Sequence, residues 1–275
     1  MLITKMPKII YSIKLGPNSR RNGDFCSFRN KKEMMDSIYL STKISAKHFP
    51  VIEFYCDDQF IDLVKEDGRD WGHVKLTSCM NEELNWLDVH NWSYIKIRAY
   101  SLQTEPFIHI DNDAFILSGI SSENLKKRVI FQGRELTSKY FYYPTTVNEA
   151  REFGFLPSEI SEIPYCAYNC GVFGILDSRL LPLVKEYEAA AKKYLVGMQR
   201  VQSKLLHMEH HTVVAEQLFI KSFLNKFSVK EEHIGLIVDD QTVPIDQNDK
   251  YCHYFSHFKR SDESVNSVKN LLNYI

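Results

Sequence analysis

The sequence predicts an α/β protein: one domain over residues 1–275, built on a mostly parallel, Rossmann-like central sheet with helices on its faces. Three observations point there. Short apolar runs of strand length alternate with longer segments whose apolar residues recur at helical spacing. The first two runs, residues 8–15 and 51–55, are separated by one helical segment, the spacing of a βαβ unit whose strands run parallel. No Gly/Ser-rich linker or internal repeat divides the 275 residues, and with 44% of them hydrophobic the chain can cover a sizeable core.

In chain order, residues 8–15 (Lys-Ile-Ile-Tyr-Ser-Ile-Lys-Leu) read as the first strand. Tyr11 is flanked there by Ile9, Ile10 and Ile13, so it is expected in the core, although it could border a base pocket. The polar loop 16–29 carries Arg20, Arg21, Asn22, Asp24 and Arg29; its length suits a lid over a ligand, and its composition equally suits a solvated loop. Residues 31–47 predict a helix with Met34, Met35, Ile38, Leu40 and Ile44 on one face. The buried run 51–55 ends in Cys56-Asp57-Asp58, and 60–65 begins another helix. Residues 94–102 predict a short amphipathic helix with Ile97, Tyr100 and Leu102 inward, followed by a hydrophobic strand from 107 that ends abruptly in the carboxylates of Asp111 and Asp113. Residues 181–206 and 212–225 look helical, and 234–238 reads as a late strand.

The run 107–117 (Phe-Ile-His-Ile-Asp-Asn-Asp-Ala-Phe-Ile-Leu) meets two carboxylates one residue apart, at what a parallel sheet would make a ligand-binding strand end. In an extended segment residues i and i+2 share a side, which aims Asp111 and Asp113 at one point. Like charges held that close repel unless a cation lies between them. A hard divalent ion, Mg2+ or Mn2+, suits oxygen ligands and leaves positions for a substrate's phosphates. Asp-Asn-Asp is also good turn chemistry, and on these residues alone a surface turn stands beside the metal site.

Three further blocks follow: Tyr168-Asn169-Cys170-Gly171, then Glu216-Gln217, then His253-Tyr254-Phe255-Ser256-His257-Phe258-Lys259, with Lys96 ahead of the strand. In order and spacing these blocks resemble the nucleotide-sugar-dependent glycosyltransferases of the GT-A fold, and among them the glycogenin and bacterial lipopolysaccharide glucosyl- and galactosyltransferase type. The resemblance covers roughly residues 7–260 and implies a metal-dependent hexosyltransferase with a single GT-A-like domain. It implies Asp111, Asp113 and His253 as metal ligands, with His257 a rival for the third place. Lys259 would meet the donor diphosphate, and Lys96, Asn112, Asn169 and Gly171 would line the donor. Glu216 and Gln217 would orient the sugar and acceptor, with Glu216 the first candidate for a general base if the reaction inverts. A UDP-sugar donor, retention, and a glycan, lipid-linked or protein acceptor are implied in the same way. The chain departs from the pattern at Cys170 for Ser, Glu216 for Asp, Ser256 for Gly, and Arg260-Ser261 where Pro-Trp often stands.

Composition narrows the remaining classes. A net charge of −1 supplies no broad cationic field for nucleic acid. No run approaches the roughly eighteen apolar residues of a membrane span, and Lys5 and Lys8 interrupt the start. The expectation is a cytoplasmic protein, free or peripheral at a membrane, with its six cysteines as free thiols since they fit no zinc spacing. His207 and His211 have the i, i+4 spacing of a metallohydrolase, but Met208 stands where that chemistry needs Glu, so the cluster is expected at the surface or along an acceptor groove. A sugar nucleotidyltransferase would need a Gly-rich loop after the first strand, which Gly16-Pro17-Asn18 matches poorly. A non-catalytic sugar- or nucleotide-binding module would need no such metal constellation.

Overall fold

The computed structural model describes residues 6–15, 28–81, 92–238 and 251–253, with residues 268 and 270. In chain order its elements begin β1 Lys8–Ser12, α1 Lys31–Ala46, β2 Ile52–Cys56, α2 Asp58–Glu66, β3 Lys75–Ser78 and α3 Ser93–Ser101. There follow β4 Phe107–Ile110, β5 Ala114–Ile116, β6 Val129–Leu136, α4 Tyr142–Glu152, β7 Cys166–Ile175 and α5 Leu181–Arg200. The last are α6 Met208–Val213, α7 Phe219–Lys226, β8 Ile234–Leu236 and β9 Tyr251–His253. The fold class is α/β with mostly parallel pairing, as expected. The chain divides into two compact units, the first made of Met1–Asn85, Phe107–Ser121 and Thr242–Ile275, the second of Trp86–Pro106 and Ser122–Gln241.

In the first unit four strands run parallel in the order β3, β2, β1, β4. Every residue of β1, β2 and β4 is buried, the unbroken pattern of a strand covered on both faces. The β1–α1–β2 succession forms the expected βαβ unit. Asn30 caps α1 by accepting the Glu33 N–H (3.0 Å), and Asp57 caps α2 by accepting the Phe60 N–H (3.1 Å). Tyr11 is fully buried, and its hydroxyl meets Ser41 (2.9 Å) and Ser45 (2.8 Å) of α1, so the phenol is satisfied as a core residue and ties the helix to the sheet. A small antiparallel pair, β5 with β9, completes this unit; Phe115 and Cys252 pack with Leu40 and Ile44.

In the second unit β6 pairs antiparallel with β7 and parallel with β8. Three expectations are corrected here. Helix α3 is not amphipathic: eight of its nine residues are buried, Lys96 among them, while Leu102 lies just past its end and is half-buried. The predicted helix 181–206 stops at Arg200 and gives way to a 3-10 turn over Gln202–Lys204. The predicted helix 212–225 is α6 and α7 joined through a π-helical turn, Val214–Leu218. No helix among the described residues is long and apolar enough to cross a membrane. Cys56, Cys79, Cys166, Cys170 and Cys252 are free thiols.

Candidate metal centre

Asp111 follows directly on the carboxyl end of β4, where a parallel sheet collects its ligands. The strand ends there, at Ile110, as expected of a run closed by two carboxylates. After Ile110 the chain turns, the Ala114 N–H donating to the Asp111 carbonyl (3.0 Å), and restarts as β5. Asp-Asn-Asp is therefore the turn its composition allows, and the two carboxylates converge through that turn rather than through the alternation of an extended strand. Three hydrogen bonds hold it. Asn112 Nδ2 donates to the Ser12 carbonyl at the end of β1 (3.0 Å), Ser37 Oγ of α1 to the Asn112 carbonyl (3.0 Å), and Ser41 Oγ to the Ala114 carbonyl (2.6 Å).

The third side chain arrives on β9, whose pairing sets His253 opposite Ala114. His253 Nε2 lies 3.4 Å from Asp113 Oδ1 and 3.9 Å from Asp111 Oδ2. One ligand atom from each of the three lies within 4.8 Å of the others, the one such group of His, Cys, Asp or Glu among the described residues. Two ligands of a single Mg2+ at about 2.1 Å stand about 3 Å apart when adjacent and about 4.2 Å apart when opposite, so the spacing fits one ion. Asp113 and His253 are each 4% exposed, while Asp111 is half-buried and keeps one side of the group toward solvent. A hard cation with open coordination positions suits that donor set.

His109 escaped the sequence reading. It is buried on β4, with Nε2 3.0 Å from Ser12 Oγ and Nδ1 3.8 Å from Asp111 Oδ1, so it backs the first carboxylate from the apolar side. Its only signal was a histidine two places before Asp111 inside a hydrophobic run.

The second unit holds other expected site residues. Lys96 Nζ is ion-paired with Glu216 Oε1, both side chains being buried, and the ammonium also lies 5.7 Å from the Trp92 ring centre. Glu216 and Gln217 stand on the π-helical turn, a feature common at functional sites. Tyr187 Oη donates to the Glu216 carbonyl there (3.0 Å). Gln217 Oε1 accepts from Tyr143 Oη (2.6 Å). On β7, Asn169 Oδ1 accepts the Gly171 N–H (2.9 Å) and its Nδ2 donates to Glu135 Oε1 (2.8 Å). Glu135 Oε2 also lies 2.9 Å from Tyr143 Oη and 3.3 Å from Tyr142 Oη; burial pushes its carboxyl above the ordinary range, against the pull of these three hydrogen bonds. Glu135, Tyr142 and Tyr143 were not singled out, because nothing in their local sequence marks them.

The cluster was expected at the surface or along an acceptor groove; His207 is exposed, but His211 is not at the surface. It is fully buried, with Nδ1 2.6 Å from Tyr194 Oη and Nε2 3.0 Å from Glu149 Oε2. Burial lowers its pKa, opposed by Glu149. Lys259, His257 and most of the loop 16–29 lie outside the described residues.

Over residues 8–274 the chain matches the group described as "Family of unknown function (DUF6734)", and it belongs to that family. No curated protein matches it. Among solved structures it is similar to the galactosyltransferase LgtC in complex with donor and acceptor sugar analogues, at 7% identity and a TM-score of 0.45, over 98% of this chain and 96% of that one. It is similar to a 4-diphosphocytidyl-2C-methyl-D-erythritol synthase from Anaerococcus prevotii DSM 20548, at 8% identity and a TM-score of 0.39, over 97% of this chain and 99% of that one. Mouse xyloside xylosyltransferase 1 in its apo form is similar at 11% identity and a TM-score of 0.41, over 84% of each chain.

Proposed function

We propose that this chain is a metal-dependent glycosyltransferase that moves a sugar from a nucleoside diphosphate-sugar, a UDP-sugar above others, to a glycan, lipid or protein acceptor. The observation that carries the reading is the convergence of Asp111, Asp113 and His253 at the carboxyl end of β4. The order of the sequence blocks supports it. Mn2+ or Mg2+ held by these three would neutralise charge on the departing diphosphate.

The chain's own residues do the rest. Asn112, by tying the turn to the end of β1, keeps both carboxylates aimed at one point. Lys259 is assigned to the diphosphate as a compact ammonium. Asn169, Gly171 and Gln217 are assigned to the sugar, and Glu216, with its carboxylate held by Lys96, to the acceptor side. The retaining outcome follows from the resemblance to glycogenin-type enzymes. The two units are taken as parts of one transferase domain.

Incubation with a panel of nucleotide-sugars and Mn2+ tests the assignment. Sugar transfer or slow donor hydrolysis, abolished by a chelator, is the expected result. Pyrophosphate release would instead mean a nucleotidyltransferase, and neither product a binding module.

A further inference from the structure

In the second unit a single phenol faces two acceptors. Tyr143 Oη lies 2.6 Å from Gln217 Oε1 and 2.9 Å from Glu135 Oε2. A phenol carries one proton, so one contact must take its hydrogen from the other partner. The shorter contact lies below the roughly 2.7 Å where N–H···O distances begin and within the range of O–H···O bonds. The Tyr143 proton therefore goes to Gln217 Oε1, and the hydrogen between Tyr143 and Glu135 comes from the carboxyl.

The surroundings of Glu135 agree. It is 7% exposed. The groups that meet it are neutral: Tyr142 and Tyr143 from α4 and the amide of Asn169 from β7, with Tyr140 ahead of α4 near enough to feel its charge. The Asn169 amide is itself oriented, because its Oδ1 takes the Gly171 N–H. None of the hydrogen bonds to Glu135 among the described residues comes from a cation, and burial without a counter-charge favours the neutral acid.

We propose that Glu135 stands as a neutral carboxylic acid at the head of a hydrogen-bond chain, Glu135 O–H to Tyr143 to Gln217 Oε1, which holds the Gln217 amide with its amino end turned outward as a donor to a ligand oxygen. Glu135 and Tyr143 are positioning residues: they decide whether Gln217 offers a donor or an acceptor. On this arrangement Gln217 selects an oxygen with a free lone pair, in a sugar hydroxyl, a sugar ring or a phosphate. The part of the proposal that concerns a sugar rests on the glycosyltransferase reading. When Glu135 ionises as pH rises, the Tyr143 proton swings to the carboxylate, the amide turns over, and the donor is lost.

The test uses the ligand-free chain, so it stands apart from any failure of the transferase reading. Infrared difference spectra at neutral pH between the wild type and Glu135→Gln are expected to show the C=O band of a protonated carboxylic acid, absent from the variant. A carboxylate band in its place would overturn the proposal. In 15N spectra the Gln217 NH2 pair, assigned by its loss in Gln217→Ala, is expected to exchange rapidly with water and to be unmoved by Glu135→Gln, whose amide still donates to Tyr143. Slow exchange that Tyr143→Phe releases would mean the amino end faces the phenol, and would also overturn it. With UDP-galactose and Mn2+, Tyr143→Phe should weaken binding about fivefold, the worth of one hydrogen bond, while Glu135→Gln stays within about twofold. Equal losses in both variants would contradict the chain, whereas no binding by the wild type would remove the transferase reading and leave the spectra to decide.

Discussion

Replacing Asp113 by Asn should trade stability against metal binding, and the sign of the effect should reverse with the metal. The ligand atoms of Asp111, Asp113 and His253 lie within 4.8 Å of one another. Two unit negative charges at that separation repel by about 1 to 3.5 kcal/mol as the effective dielectric falls from that of water to about 20. Half-buried Asp111 favours the lower end. The metal-free variant should be as stable as the wild type or more stable by up to about 1 kcal/mol, since one of two facing carboxylates is gone. An ion at about a hundred times its dissociation constant should stabilise the wild type by about 2.7 kcal/mol, or about 5 to 11 °C in a protein of this size. The variant, short of one ligand, should gain a fraction of that. Thermal melts of both proteins with a chelator and across a Mn2+ titration measure the cycle. Equal Mn2+ shifts would refute the ligand assignment, and a variant destabilised by well over 1 kcal/mol without metal would make Asp113 a structural residue instead.

Two further predictions concern the parallel sheet of the first unit. Burial raises the Glu53 carboxyl, but hydrogen bonds from Lys75 (2.9 Å), Lys8 (2.8 Å) and Tyr55 (2.7 Å) outweigh it and bring the group down to about 2. A carboxyl depressed that far carries at most about 3 kcal/mol, and because the Lys75 side chain is largely exposed, Glu53→Gln should cost about 1 to 2 kcal/mol at pH 7. The deficit should hold above the ordinary carboxyl pKa and close as pH falls toward 2; urea melts showing an equal gap at pH 7 and pH 2.5 would count against it. Asp57→Ala removes the α2 cap and the acceptor for the buried Leu15 N–H (2.8 Å), so about 2 to 3 kcal/mol should be lost, with Asp57→Asn recovering part; a calorimetric loss below about 0.5 kcal/mol would contradict both roles.

Much of the sheet was legible because its signals are local. The strands β1, β2 and β4 read from their unbroken apolar runs, and the helix between β1 and β2 from the helical spacing of its apolar residues. The carboxylates were legible as an interruption of such a run, and His253 through its interval to Lys259. The turn at 111–114 was left open beside the metal site, because whether Asp-Asn-Asp turns or extends depends on Ser12, Ser37 and Ser41 far away in the chain. The burial of Lys96 was hidden for a similar reason: its counter-charge, Glu216, is distant in sequence. Glu135 and Tyr143 acquire their character only from Asn169 and Gln217, which tertiary folding alone brings to them. The end of α5 at Arg200 has no Gly or Pro to announce it.

Titration calorimetry of UDP into the protein, with Mn2+ and with a chelator, tests the central claim most directly. Diphosphate and two aspartates bring several negative charges together, so without a cation their repulsion offsets the contribution of any base pocket. Heat of binding should be seen with Mn2+ and should vanish with the chelator, and Asp111→Asn or His253→Ala should weaken the Mn2+-dependent signal by at least about tenfold, or 1.4 kcal/mol. UDP binding that is as tight in the chelator, or the failure of UDP, GDP, CDP and dTDP alike to bind with Mn2+ present, would contradict the assignment of Asp111, Asp113 and His253 to a metal-diphosphate site.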